Sequence, residues 1–189
     1  MAGNPPVFIR ARYYTKGRKA PIRLVVLHTT ENTERTGTAR AVALWFASKT
    51  APKASAHYII DDQDTYQCVL EEDTAWACGV ANPFSISVEL VGRAAQTEAG
   101  WDDEYSRAEL RIAADRVARI CHRHNIPVCR PTDVKVNRGI CDHHDITKAW
   151  KVKGGHWDVG EHFPWNSFLA QVQTALDSLS EQVAVEPAP

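Results

Sequence analysis

Apolar and polar positions along this chain follow two periods. Residues 85–91 alternate, with Ile86, Val88 and Leu90 on one side and Ser85, Ser87 and Glu89 on the other, the pattern of a strand. Residues 23–28 are apolar and β-branched between Pro21 and Thr-Thr-Glu-Asn, which predicts a short, mostly buried strand. Two further apolar runs, 56–60 and 65–70, flank Asp61-Asp62-Gln63-Asp64 and predict a hairpin. The 3.6-residue period appears at 38–48, where Ala41, Val42, Leu44, Trp45 and Phe46 share a helical pattern. It is longest at 103–124, with a stripe of Leu110, Ala113, Ala114, Val117 and Ile120, and Asn125-Ile126-Pro127 stops it. A last amphipathic helix starts at Pro164 and carries Phe168, Leu169, Val172 and Leu176. Strands interleaved with helices predict one α/β domain around a central mixed sheet flanked by helices. Residues 1–20 read as an irregular lead-in, 21–180 as the domain, and 181–189 as a linker or disordered tail.

One stretch fits neither period. Residues 140–165 hold four of the eight histidines and three aspartates among Gly and Trp, which predicts a structured loop ending at a helix start. Neutral imidazole with carboxylate suits a borderline metal such as Zn²⁺. A loop supplying two ligands needs a third on a rigid element, and His28, at the end of the first buried strand, is the best donor. The resulting His/His/Asp site with an open position for water is a hydrolase's arrangement. Only one of His143 and His144 need bind the metal, because in an extended segment their side chains point to opposite sides. Asp158 has a competing reading as a loop or N-cap aspartate, and Glu89 as a solvent-facing glutamate on an edge strand. Buried centrally instead, Glu89 would have a raised pKa and act as a general base.

Composition narrows the class. The 189 residues suffice for one sizeable core, with 44% hydrophobic and 24% charged residues. A net charge of −1 gives no footprint for nucleic acid. Five cysteines without a CxxC spacing argue against a disulfide framework or zinc ribbon, and Cys68 and Cys78 read as buried small hydrophobes. His122, His124, Cys121, Cys129 and Cys141 match no zinc-finger layout, and His57 reads as a satisfied supporting residue. The start lacks a basic and apolar signal segment, and no run is long enough to span a bilayer, so synthesis in a cytoplasm without membrane insertion is expected.

Five pieces occur in chain order: Leu24-Val-Val-Leu-His28-Thr-Thr-Glu, Ser55-Ala-His-Tyr, Ser85-Ile-Ser-Val-Glu-Leu, His143-x-Asp145-Ile, and Asp158-x-Gly with Phe163-Pro-Trp165. Together they resemble the zinc N-acetylmuramoyl-L-alanine amidases, whose fold is shared with peptidoglycan recognition proteins. The N-terminal Ala11-Arg-Tyr-Tyr and Pro21-Ile resemble amidase domains of endolysins from phages of actinobacteria. The resemblance implies zinc ligands His28, His143 and Asp158, and a catalytic Glu89. It places His156 where relatives often carry Lys, Arg or Thr for transition-state stabilisation. His156 is thus a departure, and there are two more: Asp158-Val-Gly160 replaces Asp-Pro-Gly, and Trp76-Ala-Cys-Gly79 replaces Trp-His-Ala-Gly. The implied substrate is peptidoglycan, met by a monomer after holin-type release, with a possible wall-binding domain downstream. A non-catalytic binding module on the same fold and a zinc peptidase acting on stem peptides are the alternatives.

Overall fold

The computed structural model describes residues 5–185. In chain order the elements are β1 (Val7–Phe8), β2 (Tyr14–Thr15), β3 (Leu24–Thr29), α1 (Thr38–Ala47), β4 (Tyr58–Ile60), β5 (Thr65–Gln67) and β6 (Thr74–Ala75). A 3-10 turn (Gly79–Phe84) leads to β7 (Ser85–Leu90), followed by α2 (Glu98–Trp101), α3 (Glu104–His124), β8 (Gly139–Asp142), α4 (His143–Trp150) and α5 (Trp165–Val185). Six strands form one sheet in the order β1-β5-β4-β7-β3-β8, and β2 pairs with β6 in a small second sheet. The pairs β4–β7, β7–β3 and β3–β8 are parallel, while β4–β5 is the antiparallel hairpin read from the sequence.

Every residue of β3 is buried, as expected of a parallel strand covered on both faces. Val25 and Leu27 face the main core, where Ile86, Val88, Leu90 and Ile140 meet Leu110, Ala113 and Val117 of α3 and Phe168 and Val172 of α5. Leu24 and Val26 point the other way, against Cys141, Cys78 and Ile146 of α4. A fully buried Leu, Ile or Phe contributes roughly 1.5–3 kcal/mol, so packing on both faces, more than strand propensity, fixes the register. α3 follows its expected span. Asp103 accepts from Ser106 N at 2.8 Å as its N-cap, and Asn125 ends it with φ +52°.

Three expectations need correction. The 1–20 lead-in is not wholly irregular: β1 pairs with β5 and β2 with β6, so it supplies the sheet's edge. The stretch 140–165 is not all loop, because β8 and α4 occupy its first half. Asp142 accepts from Asp145 N while Asp145 accepts from Asp142 N, a capping box strong enough to start a helix in a Gly- and Trp-rich run. α5 runs to Val185, so the expected 181–189 tail is helical in its first half, and 186–189 lie outside the described residues. Among the described residues no helix is long and apolar enough to cross a membrane.

Candidate metal centre and active site

The site forms where three parallel strands end. His28 lies opposite Glu89 in the β3–β7 register, and Leu27 lies opposite Asp142 on β8. His143, the next residue, is therefore delivered beside His28 at the first position of α4. The carboxyl ends of parallel strands are where α/β folds collect binding groups. The fourth piece is the loop through Asp158. Its carbonyl accepts from His144 N at 3.1 Å, capping one of the free donors at the α4 N-terminus.

These pieces converge. His28 Nδ1 is 3.3 Å and His143 Nδ1 3.8 Å from the same oxygen, Asp158 Oδ2. The two rings meet edge-on with centroids 4.7 Å apart. Among the described residues this trio is the one group of three or more His, Cys, Asp and Glu side chains able to hold a metal ion, with candidate ligand atoms within 4.8 Å of one another. His144 is half-buried and outside the trio. Because α4 is a helix rather than an extended segment, adjacent side chains diverge by about 100° rather than pointing to opposite sides.

The electrostatics suit a cation. Burial works against charge on His28, but Asp158, the Cys78 thiol and Glu89 outweigh it and raise its pKa well above the usual value. The cluster thus calls for one positive charge, which a proton or a metal can supply. Burial, with the charge of His28, pushes His143 down to about 3, leaving a neutral imidazole. Its Nδ1 is buried without a hydrogen-bond partner, an orphan that a ligand bond would satisfy. Asp158 resists its own burial through the His28 hydrogen bond and stays below the usual carboxylate range. Four-coordinate zinc with ligands at ~2.0–2.2 Å separates them by about 3.3–3.5 Å, near the 3.3 and 3.8 Å that part the two imidazoles from Asp158 Oδ2. The residues present fit the ion.

Glu89 is on a central strand, between β4 and β3, and not at an edge. Burial, reinforced by Asp158 and Glu31 and opposed by His28, pushes its carboxyl up to about 7. A group so tuned exchanges protons at neutral pH. His156 stacks on His143 with centroids 4.3 Å apart and a 7° interplanar angle, and its Nδ1 is 3.4 Å from Asp158 Oδ1. Its side chain is 68% exposed, so one edge is open to solvent. Gly160 has φ +95°, and any Cβ there would run into the Ala94 carbonyl, which explains the glycine two residues after Asp158.

Sequence reasoning missed the support behind the trio. Arg130 Nη2 donates to Asp145 Oδ2 at 2.5 Å, and Nη1 lies 3.7 Å from Asp142 Oδ2. Its guanidinium also sits 3.5 Å from the centroid of the Trp165 ring. One side chain thus ties the start of α4 to the segment that follows the Asp158 loop. A cavity of about 340 Å³ opens beside His143 and His156, walled by Cys78, Val80, Ile146, Trp150 and Val152. A larger one, about 780 Å³, lies between α3 and the start of α5 and includes none of the trio, whereas the smaller borders His143.

An α/β sheet presenting a metal-capable His-His-Asp trio beside a desolvated glutamate defines a candidate hydrolase. The family model for N-acetylmuramoyl-L-alanine amidase matches residues 18–161. The chain belongs to that family and is a peptidoglycan amidase. Solved structures share the fold. The Staphylococcus aureus hydrolase AmiA in complex with its ligand superposes with TM-score 0.68 at 16% identity, covering 96% of this chain and 88% of that one. A mutant endolysin from Bacillus subtilis gives 0.60 at 19%, covering 90% and 99%. The amidase LysC from Clostridium intestinale gives 0.59 at 11%, also covering 90% and 99%. A search of curated proteins finds no match.

Proposed function

We propose that this chain is a zinc-dependent amidase that cuts the bond between the muramic acid lactyl group and L-alanine, as the catalytic domain of a phage endolysin. The observation that carries the reading is the convergence of His28 Nδ1 and His143 Nδ1 on Asp158 Oδ2, with Glu89 opposite His28 in the adjoining strand. His28, His143 and Asp158 hold the zinc. When bound, zinc lowers the pKa of water towards ~7 and polarises a carbonyl. Glu89 accepts a proton from the attacking water and returns it to the leaving amine of L-alanine, a task matched to its carboxyl near 7. His156, exposed and braced against His143, donates to the oxyanion. The likeness in fold to a mutant endolysin from Bacillus subtilis supports the endolysin part of the reading.

Metal content tests the ligand set. The purified chain should carry one zinc by elemental analysis, His28→Ala should lose it, and His144→Ala should keep it. Zinc retained in folded His28→Ala, or lost from His144→Ala, would remove the assignment.

A further inference from the structure

The near-zero net charge conceals a strong segregation. Residues 1–60 carry ten of the 22 Lys and Arg but two of the 23 Asp and Glu, Glu31 and Glu34. The fold gathers part of this excess on one face. Residues 9–11 continue alongside β5, with Ile9 N and Ala11 N donating to Gln67 O and Cys68 O at 2.9 and 2.8 Å. Alternation then buries Ala11 and turns Arg10 and Arg12 outward. Arg12 N donates to Phe46 O at 2.8 Å, which ties Arg12 to the end of α1, and the exposed Lys49 and Lys53 follow that end in the chain.

Aromatic rings organise the two arginines. Arg10 lies 5.1 Å from the Phe8 ring and 5.4 Å from the Tyr14 ring, and donates to Tyr14 Oη at 2.8 Å. Arg12 lies 5.7 Å from the Tyr13 ring, which stacks on Trp76 at 5.9 Å. Trp45 and Phe8, 49% and 42% exposed, add apolar surface. A guanidinium held against a ring keeps outward N–H donors at fixed orientation, which reduces the ordering cost of binding an anion. Among the described residues the Lys and Arg ion pairs involve Arg107, Arg119, Arg123 and Arg130, and none of these four cations. Of the carboxylates that follow β5, Asp73 accepts from Gly17 N and Glu71 from Tyr58, Arg123 and His124, while Glu72 between them is exposed.

We propose that this face binds an anionic phosphodiester polymer of the bacterial wall. The inference rests on the proposed function, which puts the chain at the wall. Monovalent cations spread over an open surface suit a linear repeating anion, and the exposed rings suit its polyol or sugar units. Trp76 adjoins Ala77 and Cys78, which line the cavity beside His143 and His156, so polymer held here keeps the catalytic end against the glycan.

The test uses the zinc-loaded chain and a variant combining Arg10→Gln, Arg12→Gln, Lys49→Gln and Lys53→Gln. Binding of poly(glycerol phosphate) should weaken about 50-fold between 50 and 200 mM salt, as four contacts to a single-stranded polyanion would give. The variant should bind at least ~10-fold more weakly and show a raised KM on polymer-bearing walls only. Its turnover of a soluble muropeptide should match the parent. The proposal is overturned by no polymer binding at 50 mM salt, by equal binding in the variant, or by soluble turnover lost along with binding. Duplex DNA bound in place of the polymer overturns it in favour of nucleic acid. If the parent fails to cleave the soluble muropeptide, the proposed function falls, while the polymer measurement still decides this inference.

Discussion

Glu89→Gln separates a catalytic glutamate from a structural one because it should move activity and stability in opposite directions. Burial lifts the Glu89 carboxyl from its usual 4.5 to about 7. The folded chain therefore holds a proton that the unfolded chain has lost between those pH values, and stability falls as pH rises through that window. A shift of this size corresponds to roughly 3 kcal/mol, an upper bound because the residue is only half-buried. Glutamine has no charge to desolvate. In metal-stripped protein, urea unfolding should find Glu89→Gln more stable than the parent at pH 8, by up to ~3 kcal/mol, and equal to it near pH 4.5. Amide hydrolysis by the zinc-loaded variant should nevertheless fall at least ~100-fold, the usual scale for a positioned general base. Parent activity should rise with pH as the carboxylate forms. Turnover within tenfold of the parent in a folded, zinc-loaded variant would refute the base assignment.

Arg130→Ala should weaken zinc binding by about 10–100-fold, the usual scale for loss of an outer support, with Arg130→Lys recovering part of it. Chelator competition reads this directly, and unchanged zinc affinity would reduce Arg130 to a surface clamp. His156→Ala should keep its zinc but lose about 100-fold in kcat, the scale of one oxyanion donor, with His156→Lys restoring activity. Unchanged kcat in His156→Ala would leave that ring a packing partner of His143.

Much of this architecture is legible in the sequence because burial on a sheet leaves a period. β3, β7, the β4–β5 hairpin and α3 all declare themselves by apolar spacing. β1 and β2 do not, since two-residue strands take their conformation from partners more than fifty residues away. α4 was hidden by composition, although the Asp142-x-x-Asp145 spacing was a usable capping signal. His28 could be nominated because the end of a buried strand is a local feature, whereas Glu89 and Asp158 are singled out by the family resemblance of their short motifs. Arg130 could not, because its partners Asp142, Asp145 and Trp165 lie across a strand and a loop. The basic excess of the first sixty residues does not show in the net charge, which sums over the whole chain.

The most direct measurement of the central claim is the product of a defined muropeptide digest, run on metal-stripped protein with and without added zinc. A zinc amidase leaves a free L-alanine amino terminus together with an intact lactyl-muramate, formed only when zinc is restored. Cleavage within the stem peptide, or full activity in the stripped protein, would contradict it.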